Sequence, residues 1–141
     1  MMNSSNTPKD LNWVQARVEC SLLKVFQSLQ AGVQSDVNDM QPMLPTDGRI
    51  RLEFNIHNVN TFSVSRIDSS SGFVVGESVV FNLSAETIDV HLRDNKENRK
   101  LFSAAITLDD DGNCKLKVGE NSLEQWQVRR TALERLFFGP R

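Results

Sequence analysis

The spacing of hydrophobic residues changes at Cys20–Ser21. Before this point, apolar residues alternate with polar ones: Val14, Ala16, Val18 and Cys20. That two-residue repeat is typical of a strand with one buried face. After this point, apolar residues recur every three to four positions, as in an amphipathic helix: Leu22, Phe26, Leu29, Val33, Val37 and Met40. The pattern predicts a strand over residues 12–20 and a helix from Ser21 to about Met40.

The first segment also fits a second interpretation. Residues 8–40 can be read as one helix, because Leu11, Val14 and Val18 continue the stripe of the following helix and Thr7-Pro8 resembles a helix start. Such a helix would be longer than most helices of globular proteins. The alternation and the bulky residues favour the strand, which is the preferred prediction, and the long helix stays as the alternative.

The middle of the chain predicts a series of short strands. Residues 41–48 contain two prolines and an Asp-Gly pair and predict a loop. About six strands follow, interrupted by a Ser-rich loop at Asp68–Gly72 and by a turn or bulge at Gly76-Glu77; their apolar runs are 50–56, 62–64, 73–75 with 78–83, 88–92, 102–108 and 114–118. Short connections favour an antiparallel meander, because parallel neighbours need long crossovers.

The C-terminal segment predicts a helix that closes the fold. Ser122 and Gln125 have the spacing of a capping box, and Gly139-Pro140 ends the helix. We expect a flexible N-terminus over residues 1–11 and a single domain over residues 12–141. Its fold class is α+β: an antiparallel meander sheet of about six to seven strands packed on one face by two helices, in the order β-α-β(5-6)-α. This order resembles the helix-grip architecture, in which a curved sheet wraps a long C-terminal helix.

Composition and charge narrow the function classes. The chain has 141 residues, 39% of them hydrophobic and 24% charged, as in ordinary globular proteins. A net charge of -2 argues against a general nucleic-acid binder, which needs a basic surface. Apolar runs are too short to span a bilayer, and the first ten residues lack the pattern of a secretory signal. We expect a cytoplasmic protein that binds neither nucleic acid nor membrane.

The two cysteines are expected to be free thiols in the core. Cys20 and Cys114 both lie on the apolar side of a predicted strand, and unpaired cysteine behaves as a small hydrophobe. A disulfide would need adjacent strands and an oxidising compartment. The sequence shows no metal-ligand spacing, and the Asp109–Asn113 run predicts a hairpin turn rather than a calcium loop. We therefore expect no metal and no cofactor.

Polar residues on the predicted strands give one candidate cluster. The two histidines, His57 and His91, fall on the polar side of their strands, and Asp89 and Arg93 flank the second. If the two strands were neighbours, these four residues would share a surface suited to acid–base chemistry. The competing interpretation is a solvated sheet face of mixed charge, which alternation alone produces and which the sequence favours.

The last helix carries a second candidate contact. Arg129 and Arg130 lie beside Trp126, near the apolar stripe of the helix, and would suit a carboxylate or phosphate. The structural interpretation, which is favoured, is that the arginines lie along the core edge and pair with Glu134 or a strand acid. Phe138 follows Phe137 directly, so both rings can be buried only if the end of the helix is covered on two sides; otherwise Phe138 is exposed and marks an interaction surface.

These observations favour a non-catalytic protein. The first hypothesis is a soluble α+β domain that acts by binding another protein or by self-association, since no catalytic motif is present and the first predicted helix has a broad apolar arc. The alternative is a small-ligand-binding protein or enzyme with a helix-grip-like cavity between sheet and helices.

Overall fold

The computed structural model describes residues 10–69 and 75–139, the first residue of the second range by its backbone alone. The predictions for residues 1–9, for most of the Ser-rich loop and for residues 73–74 lie outside the described residues. The helices are α1 Trp13–Glu19, α2 Leu22–Met40 and α3 Gln125–Phe138, with a 3-10 turn Gln41–Met43 after α2. The strands are β1 Ile50–Asn58, β2 Thr61–Asp68, β3 Val75–Leu83, β4 Ile88–Arg93, β5 Asn98–Leu108, β6 Cys114–Val118 and β7 Asn121–Leu123.

The seven strands form one antiparallel sheet in strict chain order. Each strand pairs with the next one along the chain. The predicted α+β class and the meander are therefore confirmed. The predicted interruption at Gly76-Glu77 is wrong, because β3 pairs with β2 through these residues without a shift of register.

Strand β5 changes its pairing partner along its length. The first part of this strand, Asn98–Ala104, pairs with β4, whereas Ala105–Leu108 pairs with β6. One extra residue of β5, Leu101, forms a bulge opposite Val90 and His91. Bulges increase the local twist of a strand. β6 and β7 complete the sheet, and β7 leads directly into α3.

The predicted first strand is wrong. Residues 13–19 form α1, whose N-cap Asn12 accepts a hydrogen bond from the Gln15 backbone amide at 3.1 Å. The helix is then interrupted at Cys20. Ser21 caps the next helix, α2, because its hydroxyl oxygen accepts a hydrogen bond from the Lys24 backbone amide. The alternative of one long helix is thus also wrong, although both of its halves are helical. Val14 and Val18 are four residues apart, so their spacing suits one face of a helix as well as a strand.

The hydrophobic core lies between one face of the sheet and the helices α2 and α3. Three fully buried rings fill its centre: Phe26 of α2, Phe62 of β2 and Phe81 of β3. The centroid of the Phe62 ring is 5.1 Å from that of Phe26 and 4.6 Å from that of Phe81. The volume where a helix-grip-like ligand cavity was expected is therefore occupied by aromatic side chains.

α3 starts two residues later than its predicted cap. Glu124 is the N-cap and forms a capping box with Gln127, whereas Ser122 belongs to β7. The helix ends at Phe138 before Gly139, as Gly139-Pro140 predicts. Gly139 has a φ of 84°, which glycine adopts without steric cost. The end of α3 thereby leaves Phe138 at the surface.

The prediction of two free thiols is wrong. Cys20 and Cys114 form a disulfide with a Cα–Cα distance of 5.4 Å, within the usual range. The break between α1 and α2, which a strand over residues 12–20 does not contain, brings Cys20 to the start of β6. Cys20 is buried, whereas Cys114 is exposed.

Among the described residues, no helix is long and apolar enough to cross a bilayer.

Candidate functional site: a groove between two helices

An apolar groove of about 340 Å³ runs between the C-terminal half of α2 and the length of α3. We call it the α2–α3 groove; it is lined by Asp36, Asp39, Met40, Met43, Trp126, Arg129, Arg130, Leu133, Phe137 and Phe138. The sequence-based candidates Trp126, Arg129, Arg130 and Phe138 all belong to this set. The structure thus brings the candidate anion contact and the candidate interaction surface into one site.

Both walls of the groove follow rows of neighbouring positions on a helix surface. On α3, Trp126, Arg130, Leu133 and Phe137 are spaced by four, three and four residues. On α2 and the turn after it, Met40 and Met43 are three residues apart. Residues three or four apart lie side by side on a helix, so each row presents a continuous strip.

Three large apolar side chains stay open to solvent in the groove. Met43 is 74% exposed, Phe138 63% and Trp126 53%. Buried Met40 and Leu133 lie beneath them. Aromatic residues, methionine and arginine are enriched at protein interfaces, and a small number of such residues supplies most of the binding energy. The composition of the α2–α3 groove is therefore that of a contact surface.

Arg129 is held inside the helix pair. Its Nε donates to Asp36 Oδ2 at 2.8 Å and its Nη1 donates to Gln125 Oε1 at 2.7 Å. Gln125 in turn donates from Nε2 to Ser28 Oγ at 2.9 Å. These residues form a polar ladder along the α2–α3 contact. The Arg129 guanidinium is engaged in the ladder and stabilises the helix pair; its acidic partner is Asp36 of α2, not Glu134 or a strand acid as the structural interpretation predicted.

A glycine on α2 makes room for that guanidinium. A Cβ placed on Gly32 would lie 2.7 Å from Arg129 Nη1 and 3.0 Å from its Cζ. Glycine inside a helix costs about 1 kcal/mol relative to alanine. The close approach of Arg129 across α2 is a physical reason for accepting this cost at Gly32.

The rim of the groove carries one charge of each sign. Arg130 is exposed and pairs with Glu134 on its own helix at 3.4 Å. Exposed pairs of this kind contribute little to stability, so Arg130 can exchange its partner at small cost. Asp39 is exposed on the opposite wall. The rim therefore suits a partner that also carries both charges.

No protein-family model, curated protein or solved structure matches this chain. Its function is therefore argued from its own surfaces. The α2–α3 groove is the first of these, and the outer face of the sheet is the second.

The structure does not bring the four residues of the predicted sheet-face cluster together. Asp89, His91 and Arg93 share one face of β4, but His57 lies on β1. β2 and β3 separate these two strands, so their axes are about 14 Å apart at about 4.8 Å per strand. His57 instead contacts Ser63, with 2.8 Å between Nε2 and Oγ. A shared acid–base site of His57 and His91 is not formed.

Asp89 is the centre of a hydrogen-bond network on this outer face. Ser103 donates to Asp89 Oδ1 at 2.6 Å and Thr87 donates to the same atom at 2.8 Å. Lys100 Nζ lies 3.7 Å away. The hydrogen bond from Ser103 lowers the pKa of the Asp89 carboxyl from its ordinary value, and the hydrogen bond from Thr87 and the positive charge of Lys100 act in the same direction. The network fixes neighbouring strands and keeps Asp89 ionised, so Asp89 is not poised as a proton donor near neutral pH.

The acidic hairpin turn does not form a metal site. The Asp109 carboxylate accepts from the backbone amides of Asp111 and Asn113 at 3.0 and 2.8 Å. These hydrogen bonds satisfy backbone amides of the turn between β5 and β6, and the sequence predicts a hairpin turn here. Within the two described ranges, no group of three or more histidine, cysteine or acidic residues is placed to hold a metal ion.

Sequence reasoning missed the α2 wall of the groove. Met40 was assigned to the apolar stripe of the helix, and Met43 was assigned to a loop. Their pairing with α3 depends on which side of the sheet each helix covers, and hydrophobic spacing does not encode this. The available signal was the methionine just after a helix end, since an apolar side chain there extends the apolar strip of the helix, although Met43 stays largely exposed.

Proposed function

We propose that this protein is a non-catalytic binding module that associates with a second copy of itself, with α1 of one copy lying in the α2–α3 groove of the other. The observation that carries the proposal is the apolar groove with its exposed Trp126 and Phe138. The helix-in-groove mode of recognition supports it, because a groove between two helices accepts the apolar face of a third.

The same chain supplies a suitable occupant. Every residue of α1 is exposed or half-buried, although the helix carries several large apolar side chains. Trp13 is 67% exposed, and Val14 and Val18 are 53% exposed on one face. Asp10, Arg17 and Glu19 give this segment charges of both signs, as on the rim of the groove.

Closed two-fold symmetry suits this arrangement. α1 precedes the N-terminus of α2, whereas the groove lies along the C-terminal half of α2. In an antiparallel pair of copies, each α1 therefore faces the groove end of the other copy. A two-fold dimer uses the same patch on both subunits and leaves no open contact for further copies.

The exposed area sets the expected strength. The rings of Trp13, Trp126 and Phe138 together present on the order of 300–400 Å² per chain, given 150–250 Å² for a whole aromatic side chain. A stable dimer of standard size buries about 800 Å² per partner, to which the valines, Met43 and the rim would add. We expect an association that depends on concentration in the micromolar range or above.

Light scattering coupled to size exclusion over a concentration series tests the proposal. We expect the wild-type mass to rise from that of one chain towards that of two. Val14→Asp in α1 and Phe138→Asp in the groove should each give a monomer at every concentration. Val59→Asp is the matched control, because Val59 is 80% exposed in the β1–β2 turn, away from both patches.

Mixing the two defective variants tests the geometry of the contact. The α1 of the Phe138→Asp chain and the groove of the Val14→Asp chain are both intact, so the mixture regains one of the two contacts of the two-fold dimer. It should form a one-to-one dimer that neither variant forms alone and that is weaker than the wild-type dimer. A wild-type chain that remains monomeric at all concentrations overturns self-association. If the wild-type chain dimerises but the mixture of the two variants does not, the pairing of α1 with the groove is overturned.

A small apolar ligand in the same groove is the second candidate. The volume of the groove, about 340 Å³, is at the lower end of the range for small-molecule sites, about 300–1,000 Å³. Arg130 at the rim adds a cation that suits an anionic group. Binding of an anionic apolar dye by the dilute monomer, lost in Trp126→Ser and kept in Val59→Asp, would support this function over self-association.

A further inference from the structure

We propose that Cys114 is a site of thiol–disulfide exchange, at which low-molecular-weight thiols attack the Cys20–Cys114 disulfide and form a mixed disulfide. This inference is independent of the proposed self-association. It rests on the different environments of the two cysteines, on a cleft beside Cys114 and on the surroundings of Cys20 at the start of α2.

The two cysteines of the bond differ in access. Cys20 is 2% exposed, whereas Cys114 is exposed at the first position of β6. A cleft of about 270 Å³ opens beside Cys114, with Glu19, Lys24 and Gln125 among its walls. The Cys114 side of the bond is therefore the side that faces solvent and the cleft, and we infer that an attacking thiolate approaches from there.

The leaving sulfur lies at the start of a long helix. Cys20 directly precedes Ser21, the N-cap of the 19-residue α2. The positive end of a helix dipole favours a negative charge that forms beside it, such as a departing thiolate. Cys20 Sγ also lies 3.7 Å from the Thr107 carbonyl oxygen, which accepts a hydrogen bond from the thiol once it is protonated.

The exchange balances without a further oxidant or reductant. The incoming thiolate forms a new S–S bond to Cys114 Sγ, and the bond between the two cysteines breaks. The electron pair of that bond leaves with Cys20 Sγ, which takes a proton from water. A second thiolate then attacks the mixed disulfide, releases the small disulfide and leaves Cys114 reduced.

Exchange would change how α1 is held. α1 buries none of its seven described residues, and its two ends are fixed by different contacts. Leu11 packs on the turn between β5 and β6 at Gly112, and the disulfide fixes the other end. Breaking the bond therefore loosens the C-terminal end of α1, whereas the Leu11 contact and the core between α2, α3 and the sheet stay in place.

The first experiment uses the wild-type chain and reduced glutathione under native conditions. After an acid quench, peptide mass analysis locates the mixed disulfide, while circular dichroism follows the fold. We expect glutathione on Cys114, none on Cys20, and an unchanged helix and strand signal. Glutathione on Cys20, or a bond that is reduced only after the protein unfolds in urea, overturns the proposal.

A pair of matched variants measures the difference in access. In Cys20→Ser the free thiol is Cys114, and in Cys114→Ser it is Cys20. With an aromatic disulfide reagent we expect the Cys114 thiol to react at least about tenfold faster than the Cys20 thiol, because burial limits access to a thiolate. In urea the two rates should converge. Equal rates under native conditions overturn the proposal; if either variant fails to fold, the glutathione experiment on the wild-type chain decides.

Discussion

Replacing Gly32 by alanine tests the role of Arg129 in the helix pair. The substitution improves the helix propensity of α2 but places a Cβ 2.7 Å from Arg129 Nη1. The guanidinium then has to move, and its hydrogen bonds to Asp36 and Gln125 lengthen or break. In an Arg129→Ala background this conflict is absent. We expect the sign of the effect of Gly32→Ala on stability to depend on residue 129.

The magnitudes follow from the two opposing effects. Alanine is favoured over glycine in a helix interior by about 1 kcal/mol. Hydrogen bonds of charged groups contribute about 1.5–3 kcal/mol when buried, and the partial exposure of Arg129 and Asp36 lowers this to about 1–2 kcal/mol. In the wild-type background, Gly32→Ala should therefore be neutral or destabilise by up to about 1 kcal/mol. In the Arg129→Ala background it should stabilise by about 1 kcal/mol.

Urea unfolding of the four chains of this double-mutant cycle measures the coupling. We expect a coupling free energy of about 1–2 kcal/mol with unchanged m-values. Arg130→Ala serves as the control background, because Arg130 pairs with Glu134 instead. There Gly32→Ala should act as in the wild type. If its effect is the same in the Arg129→Ala background within about 0.5 kcal/mol, the explanation given for this glycine is refuted.

Three further predictions concern the sheet, the turns and the core. Ser103→Ala should raise the pKa of Asp89 towards its ordinary value, as measured by NMR titration; an unchanged pKa would contradict the network. A lowered carboxyl pKa stabilises the fold at pH values above the unfolded-state pKa, and this contribution is lost as the pH falls through the folded-state pKa. The Ser103→Ala variant should therefore lose stability at neutral pH but little in strong acid. Gly112→Ala should destabilise more than Gly119→Ala in thermal unfolding, since both have positive φ but only the former would displace Leu11; equal costs would rule out that contact. Leu136→Ala should cost about 2–5 kcal/mol in urea unfolding, and a cost below about 1 kcal/mol would be incompatible with its full burial.

The meander could be predicted from the sequence because each strand carries its own signal. Alternating runs such as 50–56 and 88–92 are separated by short polar turns, and short turns permit only antiparallel neighbours. The pattern failed at residues 12–20, where Val14 and Val18 suit both a strand and a helix. In the fold these residues are exposed, so burial does not select between the two patterns, and the local cap at Asn12 decides for the helix.

The candidate site was predicted only in part. Trp126, Arg129, Arg130 and Phe138 were identified because unusual side chains interrupt the apolar stripe of one helix. These residues line one groove only because of the position of α2, which also supplies Asp36, the hydrogen-bond partner of Arg129. The disulfide was missed for a related reason, because the location of Cys20 above β6 depends on a break between two helices that the spacing does not show.

The chain order of the strands also bears on how the protein folds. Every strand pairs with its neighbour in sequence, so each hairpin forms by closing a short loop. The contact between α2 and α3 is different, since Asp36 and Arg129 are 93 positions apart. We expect substitutions in the hairpins to change the folding rate, and substitutions at the α2–α3 contact to change mainly the unfolding rate. The two helices would then be the elements that determine how long the native state lasts once the sheet has formed.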